Sequence, residues 1–118
     1  MTETDQNTEK LVHEAIKARF PDHEFIGEES WAAGEQNEIT DAPTWIIDPI
    51  DGTRAFMAGE ETFAVSLAVV EDGRAVAGAV YLPALDRLYT ASQDGPALFN
   101  GTVIQCSAQP GIEGARLL

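Results

Sequence analysis

Between Trp45 and Thr53 the chain reads Trp-Ile-Ile-Asp-Pro-Ile-Asp-Gly-Thr, an apolar run that delivers two carboxylates, a turn and a hydroxyl to one point. Oxygen ligands grouped this way suit magnesium, a hard cation held by a few carboxylates together with a substrate's phosphate. Trp45, Ile46 and Ile47 are predicted to form a short strand buried on both faces, so that Asp48 emerges at its carboxyl end, where open sheets place their ligands. Pro49 is expected to end the ladder. Asp51 follows across a turn that brings it towards Asp48 and aims the Ile50 carbonyl at the same cation. Gly52 leaves room for a phosphate against the backbone, and the amides of Gly52 and Thr53 are expected to open a short helix facing that anion.

Spacing discriminates against two other uses of these residues. An EF-hand loop needs oxygen side chains at its third and fifth places, and counting from Asp48 these are Ile50 and Gly52. A covalent aspartyl-phosphate mechanism is disfavoured because the two aspartates ahead of Gly-Thr stand three positions apart rather than two. The plain alternative is that Asp48-Pro49 and Asp51-Gly52 are ordinary turn residues behind a strand. It fits either dipeptide alone and fits the whole string poorly.

Taken with an upstream acidic stretch, Phe25-Ile26-Gly27-Glu28-Glu29-Ser30, this string resembles two linked motifs of the inositol monophosphatase family. The interval of twenty positions from Glu28 to Asp48 also matches the family's simpler members, and the resemblance spans essentially the whole chain. It implies that Glu28, Asp48 and the Ile50 carbonyl hold one magnesium ion and that Asp48 and Asp51 help hold a second. It further implies that Thr53 orients the attacking water with Asp5 as its partner, since Thr2-Glu3-Thr4-Asp5-Gln6 is similar to the family's Thr-x-x-Asp stretch. Glu29 is either a residue that supports the ligands from behind or a plain loop acid. The implied reaction is magnesium-dependent hydrolysis of a small phosphomonoester, such as inositol monophosphate, by metal-activated water without a covalent intermediate. Thr53-Arg54-Ala55-Phe56 resembles the branch that includes histidinol-phosphate phosphatases and bisphosphate nucleotidases, so the alcohol of the substrate stays open.

At 118 residues the chain is shorter than members of that family. Its two tryptophans, Trp31 and Trp45, precede Ala32 and Ile46, so the Trp-Asp motif through which the family's second half supplies another metal ligand is not among these residues. Residues 1–118 are therefore expected to form the amino-terminal part of such a domain, without its leading helix and second half and with impaired turnover. A homodimer, or a partner chain supplying the missing half, is expected to follow from an uncovered sheet. A non-catalytic metal-binding or assembly module is the alternative of another class.

The formal net charge of -13 argues against nucleic acid or anionic membranes as partners and leaves a small phosphorylated substrate as the expected one. It also sets an order of events: the motif acids repel phosphate until divalent cations neutralise them, so metal should bind before or with substrate. No stretch is long and apolar enough to span a bilayer, and Met1-Thr2-Glu3 opens no signal peptide, which makes the cytoplasm the default location. The single cysteine, Cys106, is expected to be a small buried or edge residue.

These side chains need a scaffold, and the patterning predicts an α+β one. Val12, Ile16 and Phe20 fall four apart with Leu11 and Ala15 beside them, which predicts an amphipathic helix over residues 5–19 capped by Thr4 and stopped by Pro21. Residues 24–26 read as a strand that carries Glu28 and Glu29 into a loop, and 31–43 as irregular. In the strand that follows the signature, Phe63, Val65, Leu67 and Val69 form a bulky face and Ala64, Ser66, Ala68 and Val70 a smaller one, on which helices are expected to pack. Asp72-Gly73 marks a hairpin leading into a strand over 75–82 that Pro83 ends. Leu88 to Ala91 reads as another strand, Gln93-Asp94-Gly95-Pro96 as a turn and 98–104 as a tight hairpin. The sum is a largely antiparallel sheet with a covering helix, the amino-terminal part of an inositol monophosphatase-like sandwich. His13 and His23 are expected to be structural or exposed, and Trp31 and Trp45 to pack.

Overall fold

Asp72-Gly73 and Asn100-Gly101 take positive φ at both positions, 52° and 75° in the first pair and 46° and 84° in the second. Consecutive left-handed residues are those of two-residue hairpin turns whose twist matches that of paired strands. Around these turns the computed structural model, which describes residues 2–32 and 41–116, folds a seven-stranded sheet in sequence order. The strands are β1 (Glu24–Gly27), β2 (Thr44–Asp51), β3 (Ala64–Glu71), β4 (Arg74–Leu82), β5 (Arg87–Ser92), β6 (Ala97–Phe99) and β7 (Thr102–Ile104). β1 pairs with β2 in parallel, and each later pair is antiparallel. Among the described residues three α-helices accompany them, α1 (Glu3–Arg19), α2 (Glu28–Ala32) and α3 (Thr53–Met57), with one 3-10 turn at Pro83–Leu85.

The α+β class and the largely antiparallel sheet are as the sequence predicts, while several details differ for physical reasons. α1 starts at a reciprocal cap on Thr2 rather than Thr4: the Asp5 amide donates to Thr2 Oγ1 at 3.2 Å and the Thr2 amide donates to the Asp5 carboxylate at 2.6 Å. Two donors satisfied together outweigh the single bond that Thr4 offers. The inward stripe of α1 runs Asp5, Glu9, Val12, Ile16, whereas Leu11 is 70% exposed and Ala15 also faces solvent. Ile16, Phe25 and Ile47 form the core, with Val12, Phe20, Trp45, Val65 and Leu67 packed around them.

α1 therefore covers the bulky face of the sheet and not the small one. Its own side chains are of moderate size, and apolar area is removed from water most effectively where both surfaces are apolar. The opposite face, which carries Ile46, Ser66, Ala68, Gly78, Val80 and Tyr89 in register, lies open as a shallow apolar trough of about 500 Å³. Ile46 is 41% exposed, so this strand is not buried on both faces. Nor does Pro49 end it. β2 continues to Asp51, paired with Ala64, through an irregularity between Asp48 and Asp51, and the buried Pro49 sits where the ladder skips a partner and no amide is needed.

His23 is structural: its Nδ1 accepts the Trp45 indole N–H at 2.9 Å, and its ring stacks on Phe20 at 4.8 Å. His13 stacks on Phe25 at 4.2 Å. Trp45 packs as expected, but Trp31 is exposed, and so is Cys106. Trp31 also belongs to α2 rather than to an irregular segment, of which 33–40 lie outside the described residues. Among the described residues no helix is long and apolar enough to cross a membrane.

Candidate active site

Glu28 and Glu29 do not sit in a loop; they open the single turn of α2 directly behind β1. The turn forms because the Glu9 carboxylate meets its first donors. It accepts the Glu29 amide at 2.8 Å, the Ser30 amide at 3.1 Å and the Ser30 hydroxyl. Gly27 is what lets Glu9 reach them, since a Cβ at that position would overlap the Glu9 carboxylate. Glu9 itself is only 5% exposed.

β2 brings Asp48 to the same place. Asp48 is half-buried, and its Oδ1 is, among the described residues, a buried side-chain oxygen without a hydrogen-bond partner. Burial, first, then the hydrogen bond and negative charge of the Glu28 carboxyl, then the charge of Asp51, push its carboxyl up to about 6, against a smaller opposing effect from the Ile50 backbone. Two carboxylates held side by side in a partly dry site resist both being ionised. Glu29 is raised as well, by burial first and then by the charges of Asp5, Glu9 and Asp48. The acids of α1, α2 and β2 thus act on one another across one small region.

The remaining expected residues stand close by but are engaged differently. Among the described residues no three His, Cys, Asp or Glu side chains converge into a ready metal cage, so the expected meeting of Glu28, Asp48 and Asp51 is only partly formed. Asp51 lies beyond the bulge in β2 and is exposed. The Ile50 carbonyl accepts the Thr53 hydroxyl at 3.2 Å. Asp5, 2% exposed, has its carboxylate held by the Thr2 amide and by the Thr2 hydroxyl at 2.7 Å, and not by Thr53. Gly52 caps α3 with φ of 85°, and a Cβ there would stand 3.1 Å from the Thr62 carbonyl.

The donor set fits a hard divalent cation. Its atoms are carboxylate and carbonyl oxygens, and the orphaned Asp48 Oδ1 beside Glu28 is a buried acceptor that a cation would satisfy. Sequence reasoning missed Glu9 and the capping role of Thr2. The signal was present: Asp5 and Glu9 continue the spacing of Val12 and Ile16, so the inward stripe of α1 changes from apolar to acidic as it reaches the site.

The profile of the inositol monophosphatase family matches residues 1–118. Bovine inositol monophosphatase 1 is 45% identical over 118 residues, which are the whole of this chain and 43% of that protein. Among solved structures, an IMPase from Thermotoga maritima superposes with a TM-score of 0.84 at 37% identity, covering 96% of this chain and 42% of the other. A staphylococcal enzyme, SaIMPase-II, solved with inositol monophosphate, gives a TM-score of 0.75 at 32% identity, with 86% of this chain and 38% of that one covered. The same enzyme has been solved with 2'AMP bound. The chain spans less than half the length of these relatives.

Proposed function

Because this chain belongs to the inositol monophosphatase family, whose members are phosphatases, we propose that it carries the metal-binding part of a site that hydrolyses small phosphomonoesters with magnesium. The observation that carries the reading is the half-buried Asp48, its Oδ1 without a partner and the Glu28 carboxyl against it. Glu28, Asp48, Asp51 and the Ile50 carbonyl would hold the cations. Bound there, magnesium supplies positive charge against the phosphate and acidity to a water molecule.

The chain's own residues do the rest. The Thr53 hydroxyl, one hydrogen bond from the Ile50 carbonyl, would orient the attacking water and pass its proton towards Asp5, for which Asp5 must exchange its bonds with Thr2. The positive φ of Gly52 brings backbone close to the Thr62 carbonyl, and the Gly52 and Thr53 amides would serve as donors to a phosphate. Glu29, facing Asp5, Glu9 and Asp48, supports the ligands from behind. Turnover by these residues alone is expected to be weak, and the chain is expected to form a homodimer or to bind a partner that supplies the missing half.

SaIMPase-II with inositol monophosphate favours a polyol phosphate as substrate, the same enzyme with 2'AMP keeps a nucleotide as the second choice, and Thr53-Arg54-Ala55-Phe56 keeps histidinol phosphate in the panel. The test is phosphate release from inositol monophosphate, 2'AMP, histidinol phosphate and an adenosine bisphosphate, each with magnesium and with chelator. We expect low, magnesium-dependent release that Asp48→Asn abolishes. Release that is indifferent to chelator and to Asp48→Asn would refute the metal reading, and a non-catalytic metal-binding module would be left if the ion binds and nothing is hydrolysed.

A further inference from the structure

Nothing in the reaction above uses Glu9, yet it is among the most buried charged residues of the chain. Its surroundings say what it does. α2 is one turn long, too short to hold its shape alone, and a short helix stays in place only if its first amides find acceptors. Three donors at its start, the Glu29 amide, the Ser30 amide and the Ser30 hydroxyl, all go to the two oxygens of Glu9. Glu28 is the first residue of that turn and presents its carboxyl to Asp48. Gly27, just before it, has no positive φ that would require glycine; it is small because the Glu9 carboxylate occupies the place of its side chain.

We propose that Glu9 is a positioning residue: from the rigid α1 it locks the first turn of α2 and thereby fixes Glu28 against Asp48 for the cation. The proposal rests on the ligand assignment above. Residues that orient metal ligands from behind typically change metal affinity by about 10–100-fold when altered, and that is the size of effect to look for. Glu9→Gln keeps the volume over Gly27 but turns one acceptor into a donor that faces the α2 amides.

The test is manganese binding to the chain, read from the free-ion paramagnetic resonance signal, together with melting curves with and without the ion. Glu9→Gln should melt cooperatively without metal, bind manganese about tenfold or more weakly, and show a smaller metal-induced rise in Tm. Gly27→Ala, whose Cβ displaces the carboxylate, should lose affinity likewise. A Glu9→Gln variant with a lowered metal-free Tm and wild-type affinity would mean that Glu9 only supports the fold, and would overturn the proposal. Should Glu9→Gln not melt cooperatively, Ser30→Ala carries the test: removing one bond should weaken manganese by about threefold, and wild-type affinity would overturn the idea. Asp48→Asn separates the two levels. If it binds as wild type does, ligand assignment and positioning fall together; if it loses the ion while Glu9→Gln keeps it, the positioning role falls alone.

Discussion

The two ends of the sheet are built by different means. Every buried residue lies between Asp5 and Ala64, in or beside α1, β1, β2 and the start of β3, whereas β4 to β7 contribute no buried side chain among the described residues. The first end holds its shape by packing α1 onto β1–β3 and by buried carboxylates that bind backbone amides. The second is held by ladder hydrogen bonds and by turns, Asp72-Gly73 and Asn100-Gly101. The site sits at the packed end, where side chains can be fixed to a fraction of an ångström, and the hairpin end supplies mainly surface.

That contrast is open to direct attack. Ile47, 1% exposed at the centre of the core, should cost about 3 kcal/mol when truncated to alanine. The exposed Val103 in β7 should cost about 0.5 kcal/mol or less. Urea unfolding of both variants measures the difference, and equal losses would mean that the hairpin end has a core of its own.

Two glycines with nearly the same φ sharpen it. Gly101 at 84° has nothing within 4 Å of a would-be Cβ, while Gly52 at 85° faces the Thr62 carbonyl. Gly101→Ala should cost about 1 kcal/mol for the left-handed backbone, and Gly52→Ala about 2 kcal/mol because the neighbour must move as well. Chemical denaturation gives both numbers, and an inverted order would show that the site end is the looser one.

A smaller effect comes from the open face. Val80, exposed in the apolar trough, should make the chain associate, and Val80→Asp should reduce the light-scattering mass at high concentration with little change in melting. A wild type that stays monomeric at every concentration would remove the case for a covering partner.

A pH effect is expected at Asp48. Its folded carboxyl titrates at about 6, above its ordinary 3.8, so the folded state holds the proton more tightly than the unfolded chain. The stability this group contributes is present in full below about 4 and is lost as pH rises through 6. Urea midpoints at pH 4.5 and 7 should therefore fall in the wild type relative to Asp48→Asn, and parallel profiles would contradict the crowding of Asp48 by Glu28 and Asp51.

How much of this could be read from residues alone also divides between the two ends. The hairpin end was almost fully legible, because Asp-Gly and Asn-Gly between alternating runs encode their turns locally. At the packed end the elements were legible and their contacts were not. Nothing local told that Pro49 would sit inside β2, that α1 would lie on the bulky face, or that Glu9 would reach across to Ser30, since each depends on elements distant in sequence. The signature acids stood out because their types and spacing suit one chemistry. Their arrangement, with Asp48 against Glu28 and Asp5 on Thr2, is set by three-dimensional packing.

We propose that Glu28, Asp48, Asp51 and the Ile50 carbonyl gather around a divalent cation when one binds to this chain. Calorimetric titration of magnesium into the wild type and Asp48→Asn at pH 7.5 tests it most directly. We expect weak, saturable heats in the wild type and none above dilution in Asp48→Asn. Equal heats from the two proteins, or none from either, would contradict it.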